Sequence, residues 1–167
     1  MCRSTGHSLD DWPERDTQTG MTLPIRLLIA DNDAQFSQYL GEYLNQQPGM
    51  KVIAVVRDGQ GAVDNCKEAL PDIALMDLHL PVLDTIRAIR AILEQNDRIK
   101  ILGLTSLAND RYAVEAVKAG ASGCLHKNDE ASCQKVARAI RQVVEGEVLL
   151  NPALASSILQ EFHRFSE

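Results

Sequence analysis

Four short runs of strand character each end in a group that could do chemistry. Asp31, Asn32 and Asp33 follow Ile25–Ala30, and Asp77 follows Ile73–Met76. Thr105 follows Ile101–Leu104, and Lys127 follows Ser122–His126. If the runs are parallel strands, these groups arrive together at the carboxyl ends, where open α/β sheets bind and react. Carboxylates crowded there repel one another and call for a hard divalent cation with oxygen ligands. A carboxylate beside Mg²⁺ can attack a phosphoryl group in line while the metal and a lysine neutralise the phosphoryl oxygens. The Thr105 hydroxyl could then bond a new phosphoryl oxygen. An aspartyl product is an acyl phosphate, high in energy and short-lived, which suits a switch better than a permanent mark. The plainer reading makes Asp77 a solvated strand end, Lys127 a surface lysine and Thr105-Ser106 a helix-capping pair.

The elements needed to position these groups follow from pattern. Asp72–Pro81 reads D-I-A-L-M-D-L-H-L-P, a short apolar run fenced by Asp and Pro. Such a run suits a strand buried on both faces of a parallel sheet, and Pro81 ends it. Val52–Val56 supplies a further strand. Between the strands, apolar residues recur at helical spacing: Phe36, Tyr39, Leu40, Tyr43 and Leu44, then Ala62, Val63, Cys66 and Leu70, then a helix over Leu83–Leu93. An Ala-rich helix over Asp110–Lys118 has the thinnest apolar stripe, and a strongly amphipathic one carries Cys133, Val136, Ile140 and Val143. Gly120 and Gly146 stop these two helices. Five strands alternating with five helices predict an α/β, flavodoxin-like (βα)5 doubly wound parallel sheet of strand order 2-1-3-4-5. A further helix from Pro152 to about His163, capped by Asn151, carries Leu154, Ile158, Leu159 and Phe162. The expected organisation is a disordered leader over 1–22, a globular domain over 23–146 and a C-terminal linker helix over 147–167.

Composition narrows the function classes. The chain has 167 residues, 45% hydrophobic and 24% charged, which fits one soluble globular domain. A net charge of -6 argues against direct nucleic-acid binding by these residues. Cys2, Cys66, Cys124 and Cys133 form no C-x-x-C pair, so reduced thiols are expected rather than a disulfide framework or zinc site. No apolar run approaches membrane-spanning length and no signal peptide is evident, so a cytoplasmic location and no membrane partner are expected.

The chain from Ile25 to Glu145 resembles the receiver domain of two-component response regulators. The matching motifs are L-I-A-D-N-D at the first strand, D-I-A-L-M-D-L-H-L-P at the third, L-T-S at the fourth and G-A-S-G-C-L-H-K at the fifth. Each alone is weak, but all four in order are highly specific. The match runs on into G-E-V-L-L-N-P-A-L-A, which looks like the end of receivers in the NarL/LuxR transcription-regulator class. The resemblance implies that Asp77 is the phosphoacceptor and a histidine kinase the donor, with no activity on another substrate. It implies Mg²⁺ held by Asp31, Asp77 and the backbone carbonyl of His79, with Lys127 paired to the phosphoryl group and Thr105 responding to it. It further implies a possible homodimer, and DNA contact only through a helix-turn-helix domain absent from this chain.

Departures from the family pattern set further expectations. Asn32 stands where many members carry a second acid, so it is at best a weak ligand and Mg²⁺ binding is expected to be weaker. Asp33 reads as the first helix's N-cap rather than a metal ligand. Cys124 replaces the aromatic switch residue and reads as a small buried filler. Val82 and Thr85 replace glycines, so the His79–Thr85 loop is expected to be stiffer or differently shaped. These changes motivate an alternative, a degenerate receiver acting as a phosphorylation-independent interaction module. A flavin or nucleotide binder is disfavoured because no glycine-rich loop follows the first strand.

Overall fold

The computed structural model describes residues 23–107, 111–127, 132–149 and 152–165. The expected leader, with Trp12, lies outside them, as do Asp110 and Asn151. In chain order the elements are β1 (Ile25–Ala30), α1 (Ala34–Asn45), β2 (Met50–Val56), α2 (Gly59–Ala69), β3 (Ile73–Asp77) and α3 (Thr85–Gln95). They continue with β4 (Lys100–Thr105), α4 (Arg111–Lys118), β5 (Gly123–His126), α5 (Ser132–Val144) and α6 (Pro152–Phe165). Every strand pairing is parallel, and the sheet order is β2-β1-β3-β4-β5, as expected.

The strands are apolar almost throughout because both faces are covered. Leu28, Ala30, Ala74, Met76 and Ile101 face one layer and pack with Ala62, Cys66, Ile89 and Ile92 of α2 and α3. Their neighbours Leu27, Ile29, Ile73, Leu75, Leu102 and Leu104 face the other, against Leu40 and Leu44 of α1 and Val136, Ile140 and Val143 of α5. This is the period-two alternation of a strand used on both sides. Cys66 and Cys133 are buried, as expected from their helix faces. Tyr39 is not part of the α1 core stripe; it is 66% exposed. Ser37, Leu40, Gly41 and Leu44 hold the inward line at i, i+3, i+4 and i+7, and residue 39 falls off it.

Three aspartates cap the helices that leave the sheet's carboxyl end. Asp33, Asp58 and Asp84 accept from the backbone N–H groups of Phe36, Gly61 and Arg87. Asp84 therefore moves the start of α3 to Thr85, two residues beyond the expected Leu83.

The C-terminal segment folds back on the domain. Leu149 N–H donates to Ser122 O at 2.7 Å and forms a parallel bridge with Gly123, beside β5. A Cβ on residue 123 would lie 2.4 Å from Leu149 O, so only glycine permits this approach. α6 then packs against α4, with Leu154 buried and Lys118 Nζ 2.8 Å from a Glu161 carboxylate oxygen. Its expected stripe holds only in part: Leu154 is buried and Ile158 half-buried, but Leu159 and Phe162 are 59% and 67% exposed. α4 covers too narrow an arc of α6 to bury all four.

Candidate functional site at the carboxyl end of the sheet

The strand order puts β1 beside β3, β3 beside β4 and β4 beside β5. Residues leaving these strands at the same end therefore meet. Asp31 follows β1 and is fully buried. Asp77 closes β3 opposite Leu104, one residue before Thr105. Lys127 follows β5, and its N–H donates to Thr105 O at 2.9 Å. The Lys127 ammonium lies 2.6 Å from Asp31 Oδ2 and 2.6 Å from Asp77 Oδ2. Hydrogen-bond geometry is met toward Asp77. Asp31 Oδ2 is buried, with the Lys127 ammonium as its charge partner. Its other oxygen accepts the Asp33 N–H at 2.8 Å.

The loop after β3 is braced by hydrogen bonds. His79 N–H donates to Asp77 Oδ1 at 2.7 Å, so both oxygens of that carboxylate have donors. The fully buried Thr85 hydroxyl donates to Asp77 O at 2.8 Å and accepts Leu80 N–H at 3.0 Å. Val82 projects into solvent at φ 71, a left-handed conformation that is strained for a β-branched residue. Gly59 N–H donates to Pro81 O at 3.2 Å, and a Cβ there would lie 2.0 Å from Leu83 O. The loop is thus tied at both ends, in keeping with the expected stiffening.

Charge in the pocket is held against its preference. Burial raises the Asp31 pKa above its ordinary value, and this outweighs the lowering by Lys127 and the Asp33 N–H. For Lys127 burial pulls the pKa down, but the bonds and charges of Asp31 and Asp77 outweigh it and the net shift is upward. The ammonium is therefore locked on by two carboxylates, one of which would be more stable neutral.

The expected site residues divide by place. Asp31, Asp77 and Lys127 converge directly. Thr105 is buried at the same mouth, and its hydroxyl accepts Leu107 N–H at 3.1 Å. Asn32 is exposed, and Asp33 is the α1 N-cap. His79 is exposed, and its ring stacks edge-on against Tyr112 of α4, with centroids 4.9 Å apart. Cys124 is half-buried rather than buried, with its Sγ 3.8 Å from Ala113 O. A Cβ on Gly103 would come within 2.8 Å of that sulfur, so the close approach of the thiol to β4 needs glycine at 103. The Thr85 brace, the His79–Tyr112 contact and the Gly59 approach were missed in the sequence reading. The only signal for them was that Val82 and Thr85 stand where glycine is common.

A five-stranded 2-1-3-4-5 sheet with an acid pocket and a lysine at its carboxyl end defines a class of protein, and comparison with known proteins identifies it. Residues 27–141 match the family model described as the response regulator receiver domain, and the chain belongs to that family. Its relatives are of the NarL/LuxR class of transcription regulators, as the C-terminal motif suggested. It is 32% identical over 140 residues to the transcriptional regulatory protein LnrK of Bacillus subtilis, covering 84% of this chain and 63% of that one. It is also 32% identical over 139 residues to the oxygen regulatory protein NreC of Staphylococcus aureus, covering 83% and 63%. The chain thus spans about three fifths of the length of these curated relatives. Among solved structures, a LuxR-family two-component response regulator from Aurantimonas sp. SI85-9A1 superposes with a TM-score of 0.73 at 28% identity, over 83% of this chain and 97% of that one. The response regulator domain of Thermotoga maritima CheB gives 0.63 at 25%, over 77% and 99%. Among the described residues no helix is long and apolar enough to cross a membrane.

Proposed function

We propose that this chain is a phosphorylation switch in which Asp77 takes a phosphoryl group from a histidine kinase. The observation that carries it is the Lys127 ammonium held 2.6 Å from both Asp31 and Asp77 at the strand ends. An Asp77 oxygen would form the new O–P bond while the P–N bond to the donor imidazole breaks. The departing nitrogen keeps the electron pair and takes a proton from solvent. His79 N–H stays on the aspartyl group and fixes its orientation. Lys127 turns from the carboxylate to a phosphoryl oxygen, where its charge counts most in a half-buried site. Thr105 follows with its hydroxyl, drawing on the segment that leads into α4. The chain acts on no other substrate in this reading; transfer and loss of the phosphoryl group are its own.

The residues fit a hard divalent cation such as Mg²⁺. Asp31 Oδ2 is a buried carboxylate oxygen, and Asp77 Oδ2 lies across the Lys127 ammonium from it, so two hard oxygen donors share the pocket. Asp31, Asp77 and the His79 backbone carbonyl would hold the ion, with Asn32 adding little. When bound, the ion supplies positive charge to the phosphoryl oxygens.

In this reading residues 23–146 are the receiver, 147–167 a linker and 1–22 a leader. The longer relatives are regulators of transcription, so the output we propose is transcription through a helix-turn-helix domain in the full-length protein. Intact mass after incubation with Mg²⁺ and acetyl phosphate tests the switch. Wild type should gain one phosphoryl group and Asp77→Asn none; no gain, or a gain that survives Asp77→Asn, rejects it. The exposed Asn32 favours a second reading, a phosphorylation-independent interaction module. Saturable millimolar Mg²⁺ binding supports the switch, while no binding and an unchanged association state support the module.

A further inference from the structure

Lys127 has a third neighbour besides the two carboxylates. Its Nζ lies 4.9 Å from the centroid of the Phe36 ring. Phe36 is the third residue of α1 and is half-buried against the core on that face of the sheet. Its backbone N–H donates to the Asp33 cap at 3.1 Å, and Asp33 N–H in turn donates to Asp31 Oδ1 at 2.8 Å. Asp31 Oδ2 returns to Lys127 at 2.6 Å. The four residues therefore close a ring of contacts: acid, helix cap, aromatic face, ammonium and acid again.

We infer that Phe36 is a positioning residue that holds the Lys127 ammonium over the acid pocket through the face of its ring. The inference rests on the reading of Asp77 as phosphoacceptor. An aromatic face attracts a cation through its quadrupole, most strongly where water is excluded. The Lys127 side chain is only 8% exposed, so the condition holds. A third carboxylate in this place would also hold the ammonium, but it would compete with an incoming phosphoryl oxygen for N–H donors and repel it. The ring does neither. It holds the charge near Asp77 while leaving the donors to be exchanged from carboxylate to phosphoryl oxygen. The helix cap fixes where the ring stands, so Asp33 serves the site through Phe36 rather than through a metal.

The test replaces Phe36 by leucine, by tyrosine, and by phenylalanine bearing one, two and three ring fluorines, which weaken the negative face stepwise at nearly constant volume. The readout is the initial rate of phosphorylation by acetyl phosphate with saturating Mg²⁺, with a urea midpoint for each variant. Phe36→Leu should lose about fivefold in rate and Phe36→Tyr should restore most of it, the scale expected of a cation over a desolvated ring. The fluorinated series should fall in rate step by step while its midpoints stay together. Should leucine unfold the chain, the fluorinated series still decides. A phosphorylated wild type with a flat fluorine series overturns this inference alone. A wild type that takes no phosphoryl group overturns the reading of Asp77, and this role with it.

Discussion

Asp31 carries an electrostatic conflict. It is fully buried, and burial raises its pKa despite the adjacent Lys127 ammonium and the Asp33 N–H. A raised folded-state value makes its contribution to stability fully present below the ordinary 3.8 and lost as pH rises through the folded value. At neutral pH the ionised group is therefore a liability that the Lys127 ammonium relieves only in part. Asp31→Asn should raise the urea midpoint at pH 7 without Mg²⁺ and abolish any further rise on adding Mg²⁺; a lower midpoint would contradict this. Lys127 also has a raised pKa, so its stabilisation is complete below 10.5 and is lost as pH rises through the folded value. Thr85 is the other residue on which the site leans. Thr85→Val keeps the shape but strands Leu80 N–H and Asp77 O, and should cost about 1–3 kcal/mol by urea unfolding.

Among the elements, α4 and α6 stand apart. Only Ala116 of α4 is fully buried, in line with the thin stripe read from the sequence. The Lys118–Glu161 pair is partly exposed and worth little alone. The C-terminal segment is held instead by Leu154 and by the edge pairing at Gly123. Gly123→Ala should push Leu149 off β5, and hydrogen exchange would show lost protection at Leu149 N–H with α1, α2 and α3 unchanged. Protection retained at Leu149 would mean the edge tolerates a side chain. The strands and the α1, α2 and α5 core faces were legible in the sequence because burial on both sheet faces and helical periodicity leave strong patterns. The outer half of α6 was not, because an amphipathic stripe does not say what covers it. The start of α3 was not legible because the apolar Leu83 extends the helical spacing back past Asp84, the residue that caps the helix.

For the whole molecule, the site was legible because the sheet order turns four separate motifs into one mouth. Asp31, Asp77 and Lys127 could be placed there from strand ends alone. The brace from Thr85 and the ring of Phe36 could not, because both depend on loop and helix-cap geometry with no repeating pattern. In the proposed switch this mouth answers as one unit when a phosphoryl group arrives. Four backbone N–H groups report on it: Asp33 on Asp31, His79 on Asp77, Leu107 on Thr105, and Lys127 on the Thr105 carbonyl. The most direct test is a ¹H–¹⁵N NMR titration with Mg²⁺ and beryllofluoride, a tetrahedral phosphoryl mimic. All four amides should shift with one saturation curve in wild type and stay in place in Asp77→Asn. Unmoved amides in wild type, or shifts that scatter and saturate independently, would rule out such a concerted response.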